Sequence, residues 1–424
     1  MFKSSIKTIK INNLIESIYI SFLAINAVIE VWLAFASDPA MSIFIKIDTY
    51  GCVVLTIIYY SMIKRKTKKS DIVYLIVPGV FLLMLILHTY GGYNLYWITT
   101  FISVCGFLLL SSQLKAKAFL IFFRIIIVFN FISLFVYLSY ITGIGLPFQR
   151  VNFFDENINS VVYYNRWSIF AVVSAGKWDR LCGIFNEAGA LGTVSGLLLA
   201  TTWNHSSVFE KIILLLSIFC SFSLAGYLLA VISFALLLLK KNWKFSVILI
   251  AIVAFINIIP SIDWHNDNLN ILASRISFSQ FILGGNRTDA LFDQVFNDFL
   301  RTGNTIFGNG YGYSILNSDY STYKIYILMF GFVGLALLLF LWIYFPIRAS
   351  KGNKTCYIVV VVLICALYQR PFIICSMYGY LYVYGSIEFI KEHELLSTVQ
   401  NKDNSKQLKR RIFKNKNVND NAFL

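Results

Sequence analysis

Residues 212–239 read IILLLSIFCSFSLAGYLLAVISFALLLL, with Lys211 before the run and Lys240-Lys241 after it. Nothing in the run is charged, and only serines, a cysteine, a glycine and a tyrosine break its apolar character. A helix needs about 20 apolar residues to cross the hydrocarbon of a bilayer. The run is therefore too long for one untilted span and short for two. Ser221-Phe222-Ser223-Leu224-Ala225-Gly226 gathers small and hydroxylated residues near its middle. That stretch predicts a tight turn between two short helices, 211–222 and 225–239.

The rest of the chain has the same character. Of its 424 residues 58% are hydrophobic and 13% charged, against roughly 45–50% and about 25% in a soluble domain. In hydrocarbon every backbone amide must be paired internally, which leaves helices or closed barrels. The long unbroken runs do not resemble the alternating ten-residue strands of a barrel. The sequence thus predicts an all-α, polytopic integral membrane helical bundle of about twelve transmembrane helices. The spans fall near 14–36, 43–63, 72–88, 94–112, 118–142, 186–203, 211–222, 225–239, 245–262, 322–345, 356–370 and 373–390. Lys3, Lys7 and Lys10 precede the first apolar stretch, and no small-residue cleavage site closes it. It reads as a retained span, not a removed signal peptide.

A net charge of +15 raises nucleic acid as a partner, but the charge forms no patch on one domain. It lies in short loops between apolar runs, so no nucleic-acid partner is expected. With the N-terminus inside, alternate loops and the C-terminal tail hold 25 of the 36 basic residues, as the positive-inside rule requires. The bias collapses if 211–239 is a single span. The charges therefore support two helices there, with both termini cytoplasmic. The chain divides into five spans over 1–142, a first large outer loop over 143–185, four spans over 186–262, a second large outer loop over 263–321, three spans over 322–390, and a basic tail over 391–424. Lys409-Arg410-Arg411 in that tail suits anionic lipid.

The seven cysteines include no CxxC pair, and all but Cys182 sit in apolar runs, so no disulfide framework or metal site follows. The four histidines show no ligand spacing, and no Walker loop, dinucleotide fingerprint or Ser–His–Asp set can be traced. Arg124 and Glu30 lie within spans and call for internal partners.

Chemistry is therefore sought in the two large loops, where the acids also gather. The first ends in Trp178-Asp179-Arg180-Leu181-Cys182-Gly183-Ile184-Phe185-Asn186-Glu187-Ala188-Gly189. Asn186 is placed to cap the next helix and leave its positive dipole end outward. Beside Arg180 such an end suits a phosphate. Glu187 reads as a general base or as a dipole partner, and Arg180 alternatively snorkels to headgroups. In the second loop Leu291/Phe292, Val295/Phe296 and Phe299/Leu300 recur every four residues, which predicts an amphipathic helix over about 286–301. Gly284-Gly285 precede it, and Phe307-Gly308-Asn309-Gly310-Tyr311-Gly312-Tyr313 follow. The aromatics suit sugar stacking, and the glycines read first as a turn. Arg150, Arg166, Arg180, Arg275, Arg287 and Arg301 all fall in these loops, while the inner loops are mostly lysine. Arginine grips phosphate with a two-pronged fork, so an anionic lipid-linked substrate would account for them.

The layout resembles the O-antigen polymerases, the Wzy family. The resemblance rests on the span count, two large loops, the Arg180-to-Glu187 motif opening a span, the Asn286-Arg287 helix leading to Phe307-Gly308-Asn309-Gly310-Tyr311-Gly312, and Gly331-Phe332-Val333-Gly334 in the next span. It implies a metal-independent glycosyltransferase, without cofactor, at the periplasmic face of a bacterial inner membrane. Such an enzyme transfers a growing chain from its undecaprenyl pyrophosphate to the next lipid-linked oligosaccharide, so the same lipid is donor and acceptor. The resemblance also implies a chain-length regulator as partner. Carried onto this sequence, it names Arg180, Glu187, Arg287 and Asp319 as catalytic. Arg166, Arg275, Arg301, Asn286, Gly308, Gly310 and Tyr311 become substrate-binding. Ala188 stands where the motif commonly has proline. Ser318-Asp319-Tyr320 stands where the related O-antigen ligases carry a histidine, which favours polymerase over ligase. The rival of another class is a flippase for the same lipid, which should carry its charges within the spans.

Overall fold

The computed structural model describes residues 2–31, 39–62, 75–81, 83–84, 94–155, 160–175, 178–241, 258, 262, 265, 290–310, 323–369 and 377–395. The first half contains helices α1 (Phe2–Val31), α2 (Pro39–Met62), α3 (Asn94–Leu108) and α4 (Ser112–Thr142), with a further helical piece at 75–81. Strands β1 (Gln149–Asp155), β2 (Ser160–Trp167), β3 (Phe170–Ala175) and β4 (Trp178–Gly183) follow. Then come α5 (Ala188–Thr202), α6 (Val208–Cys220), α7 (Leu224–Lys241) and α8 (Ala290–Thr302). Helix α9 (Lys324–Leu339) runs on through a π-helical turn, Phe340–Tyr344, into Phe345–Ser350. After α10 (Lys354–Gln369) comes α11 (Met377–Tyr380), which continues through a second π-helical turn, Leu381–Gly385, to residue 395.

The chain is predominantly helical and has the apolar helices of a membrane protein. Among the described residues four helices are long and apolar enough to cross a bilayer: Asn12–Ile29, Ser42–Met62, Ser112–Thr142 and Lys324–Ser350. Four shorter apolar helices accompany them: Trp97–Leu108, Ala188–Thr202, Leu224–Lys240 and Lys354–Leu367. The expected span at 245–262 lies outside the described residues apart from Ile258 and Ile262.

Local chemistry sets the boundaries. Ser111 accepts the Leu114 amide at 3.3 Å to start α4, and Gly143, in the left-handed region at φ 70, ends it. The 212–239 run divides into two helices. Ser207 and Glu210 form a capping box at the start of α6. Ser223 then accepts the Gly226 amide at 3.2 Å and opens α7 after the turn.

Helix α5 is the hub, and every residue from Ala188 to Thr202 is buried. Its small residues let α7 approach closely. A Cβ on Gly226 would lie 2.9 Å from the Gly192 Cα, so the backbones touch there. Arg124 on α4 forms an ion pair with buried Glu210 on α6, the internal partner its position called for. Glu210 serves both that pair and the capping box, where its other oxygen accepts the Ser207 amide at 2.8 Å. The Glu30 side chain lies outside the described residues.

The segment between α4 and α5 is a four-stranded antiparallel sheet in the order β1-β2-β3-β4. The sequence reading had assigned it no elements. Directly paired residues share a face in such a sheet. Arg166 pairs with Ala171, while Tyr164 pairs with Val173, which in turn pairs with Arg180. Arg166, Tyr164 and Arg180 therefore lie on one face. The other face carries Phe170, Val172 and Leu181, all buried, and Phe170 meets Phe129 of α4 at 6.2 Å.

Candidate functional site at the sheet end of the bundle

Helix α6 has 13 residues and rises about 20 Å, well short of the roughly 30 Å hydrocarbon width. Beyond its end the chain turns back through buried Ser221 and half-buried Phe222, whose carbonyls need donors. Arg180 supplies the donors. Its Nε donates to the Ser221 carbonyl at 3.1 Å and its Nη2 to the Phe222 carbonyl at 3.2 Å. The turn inside the 212–239 run and the arginine of the preceding motif are thus one structural unit. Phe222 holds φ 46 there.

Next to it, the Tyr164 hydroxyl donates to the Asn186 carbonyl at 2.8 Å, fixing the entry to α5. The expected side-chain cap from Asn186 is not formed. Glu187 occupies the cap position in extended conformation, with no side-chain cap bond, and is exposed. Cys182, fully buried, receives the amides of Val173 and Ala188, and burial pushes its thiol up to about 12 against the opposing pull of Arg180 and those amides. Arg166 sits at the rim of the same face, with its Nε donating to the Ser168 carbonyl in its own hairpin turn.

A polar network backs the sheet. Asn165 donates to Tyr140 Oη and Ser174 Oγ, each at 2.9 Å. Ser174 donates to Asp179 Oδ1 at 2.8 Å, and Tyr137 to the Asp179 carbonyl at 2.9 Å. Arg150 stacks over Tyr163, 4.3 Å from the ring centre.

The predicted amphipathic helix is α8. It buries Phe292, Phe296 and Phe299 and holds Arg301 exposed in its last turn, where a cation suits the dipole. Asp293 of α8 pairs with Lys324 of α9 at 2.7 Å. Gly308 and Gly310 make a specific turn: they interlock with a break in α9 at Gly331 (φ 64, ψ −171). The amides of Asn309 and Gly310 donate to the carbonyls of Leu328 and Met329, each at 2.8 Å. On the other side of the break, the Phe332 and Val333 amides donate to Thr305 and Ile306 at 2.9 and 3.1 Å. The loop completes both half-helices. A Cβ on Gly308 would fall 2.4 Å from the Met329 carbonyl oxygen, and one on Gly331 would fall 2.3 Å from that of Ile306.

The structure therefore brings Arg166, Arg180 and Glu187 to one end of the bundle, and it gives Gly308 and Gly310 a structural role. Arg275, Asn286, Arg287, Tyr311 and Asp319 lie outside the described residues. Sequence reasoning missed Tyr164, Cys182 and the Ser221–Phe222 carbonyls. For Tyr164 the available signal is the β-branched and aromatic run Val161-Val162-Tyr163-Tyr164; the carbonyls have none, since backbone acceptors carry no residue code. Compared with known proteins, the chain matches no family model, no curated protein and no solved structure.

Proposed function

We propose that this chain is a bacterial inner-membrane glycosyltransferase of the O-antigen polymerase type. It would join undecaprenyl-pyrophosphate-linked oligosaccharides at the periplasmic face, with both termini in the cytoplasm. One observation carries the reading: an exposed carboxylate, Glu187, stands at the mouth of the wholly buried helix α5, beside a sheet face bearing Arg166 and Arg180. In the proposed step Glu187 takes the proton of the acceptor hydroxyl. The freed oxygen attacks the donor's anomeric carbon, and the bond from that carbon to the pyrophosphate oxygen breaks. Polyprenyl pyrophosphate leaves, its charge met by arginines. Arg180 acts mainly by position, since two carbonyls hold its fork. Arg287, Arg275 and Arg301 are then the better candidates for direct phosphate contact, with Asp319 as the alternative base and Asn286, Gly308, Gly310 and Tyr311 near the sugars. A chain-length regulator fits as partner.

The test is the lipopolysaccharide ladder of a deletion strain. Lipid A core bearing a single O-unit, with the ladder restored by the wild-type gene, is the expected result. Glu187→Gln should lower polymer output on the order of 10²–10⁴-fold, the usual worth of a general base. An unchanged ladder in the deletion strain overturns the proposal. A second reading, a flippase for the same lipid, draws on the carboxylate Asp48 buried between α1 and α2, and it predicts core with no O-unit at all.

A further inference from the structure

Helices α1 and α2 run antiparallel, because Asn26 meets Asp48 and Tyr19 meets Thr56, the partner receding in α1 as it advances in α2. Asn26 and Asp48 are 3% and 2% exposed. The Asn26 amide donates to Asp48 Oδ2 at 2.8 Å. Asp48 Oδ1 is buried and has no hydrogen-bond partner among the described residues. The described charged groups of α1, α2 and α3 do not answer it; on α4, which packs on α1, Arg124 is paired with Glu210, and Lys115 and Lys117 lie in the first two turns. Lys46 is exposed and two residues away on α2, hence on another side of the helix. Glu16 on α1 lies ten residues from Asn26, about 15 Å along the axis. Helix α3, which packs on α2, has no charged residue. A carboxylate left ionised in such apolar surroundings is strongly unfavourable unless a cation joins it.

We propose that Asp48 and Asn26 form an intramembrane proton-binding site, with the proton carried on Asp48 Oδ1. A proton suits the pair better than a metal ion. Hard metal ions take about six or more oxygen ligands, whereas Asn26 turns its nitrogen, not its oxygen, to the carboxylate. From the pair a seam of hydroxyls continues along α2. Thr56, eight residues or about 12 Å further, donates to the Cys52 carbonyl at 2.7 Å and shares a hydrogen bond with the Tyr19 hydroxyl at 3.1 Å. Tyr60 donates to the Gly106 carbonyl of α3 at 2.8 Å. A Cβ on Gly106 would fall 2.3 Å from Tyr19 Oη, so α3 closes directly on this seam. The site makes the packing of α1, α2 and α3 responsive to protons, a property the polymerase reading does not require.

The experiment is infrared spectroscopy of the full chain in lipid nanodiscs at pH 7, where exposed carboxyls are ionised. A protonated-carboxyl C=O band is expected in the wild type. It should shift in D2O, vanish in Asp48→Asn, and move in frequency in Asn26→Ala, which removes its hydrogen-bond donor. Absence of the band at pH 7, or its persistence in Asp48→Asn, overturns the site. Thermal stabilisation by sodium that is lost in Asp48→Asn, without the band, assigns a metal cation and overturns the proton. Should Asp48→Asn fail to fold, an unmoved band in Asn26→Ala overturns the proposal by itself.

Discussion

Arg180 shows how far one side chain's role depends on what lies within its reach. As a residue type it announces phosphate, but its Nε and Nη2 are spent on the carbonyls of Ser221 and Phe222. A buried acceptor stripped of its partner costs about 1–3 kcal/mol. Arg180→Ala should therefore lower thermal stability in detergent by an amount of that order. Arg180→Lys, whose compact ammonium cannot reproduce the fork, should recover only part of it. If Arg180→Ala melts with the wild type, the carbonyls find other donors and the capping role is wrong. Glu187 contrasts with it: it is exposed and its side chain makes no capping bond to α5.

At the scale of elements, the second loop and α9 form one unit because each completes the other's backbone. Gly331→Ala combines a left-handed φ with a clash against the Ile306 carbonyl, strain on the order of 1–3 kcal/mol for the backbone alone. It should loosen α8 and the 303–310 loop and raise proteolysis there. Gly143→Ala is the control, since φ 70 is shared but nothing lies within 4 Å of the added Cβ. Equal effects of the two substitutions would refute the interlock. The pieces of this unit were partly legible in the sequence. The four-residue recurrence of Phe292, Phe296 and Phe299 names the buried face of α8, because apolar periodicity is a local signal. The turn at Ser221–Gly226 was legible for the same reason, small and hydroxylated residues interrupting an apolar run. That Gly308 meets Gly331 was not legible. The contact is made by backbone atoms 23 residues apart, and the letters of the sequence report only that both positions tolerate glycine. The four strands are not legible in this way, because their apolar residues do not alternate strictly (Val161-Val162-Tyr163-Tyr164, Val172-Val173) and β4 holds Arg180 itself.

Across the whole molecule the two ends of the bundle differ in what holds them. The sheet end is tied by backbone carbonyls, whereas the opposite end is tied by titratable groups. There Glu394 accepts the Thr355 hydroxyl at 2.7 Å and the Asn353 amide at 2.6 Å, and pairs with Lys240 at 3.4 Å. His205, between α5 and α6, has its ring centre 5.1 Å from that of His393, the two rings tilted. Burial first, then His393, lowers the His205 imidazole below its ordinary 6.5. For Glu394 burial pushes upward, but the bonds from Thr355 and Asn353 and the Lys240 charge outweigh it, so the carboxyl lies below 4.5. Both signs point the same way. A base whose folded pKa is depressed favours the neutral form, so its contribution is complete above 6.5 and is lost as pH falls through that value. An acid whose folded pKa is depressed contributes above 4.5 and loses it below. Acidification should therefore weaken this end in two stages, His205 first and Glu394 later. Thermal unfolding in detergent should show the midpoint falling as pH drops from 7.5 to 5.5. His205→Gln should flatten that first fall and leave the one below 4.5 in place. A midpoint constant across the upper window, or a fall that survives His205→Gln, would mean that the histidine pair does not set the pH response, and that the stability of the chain is decided at the sheet end instead.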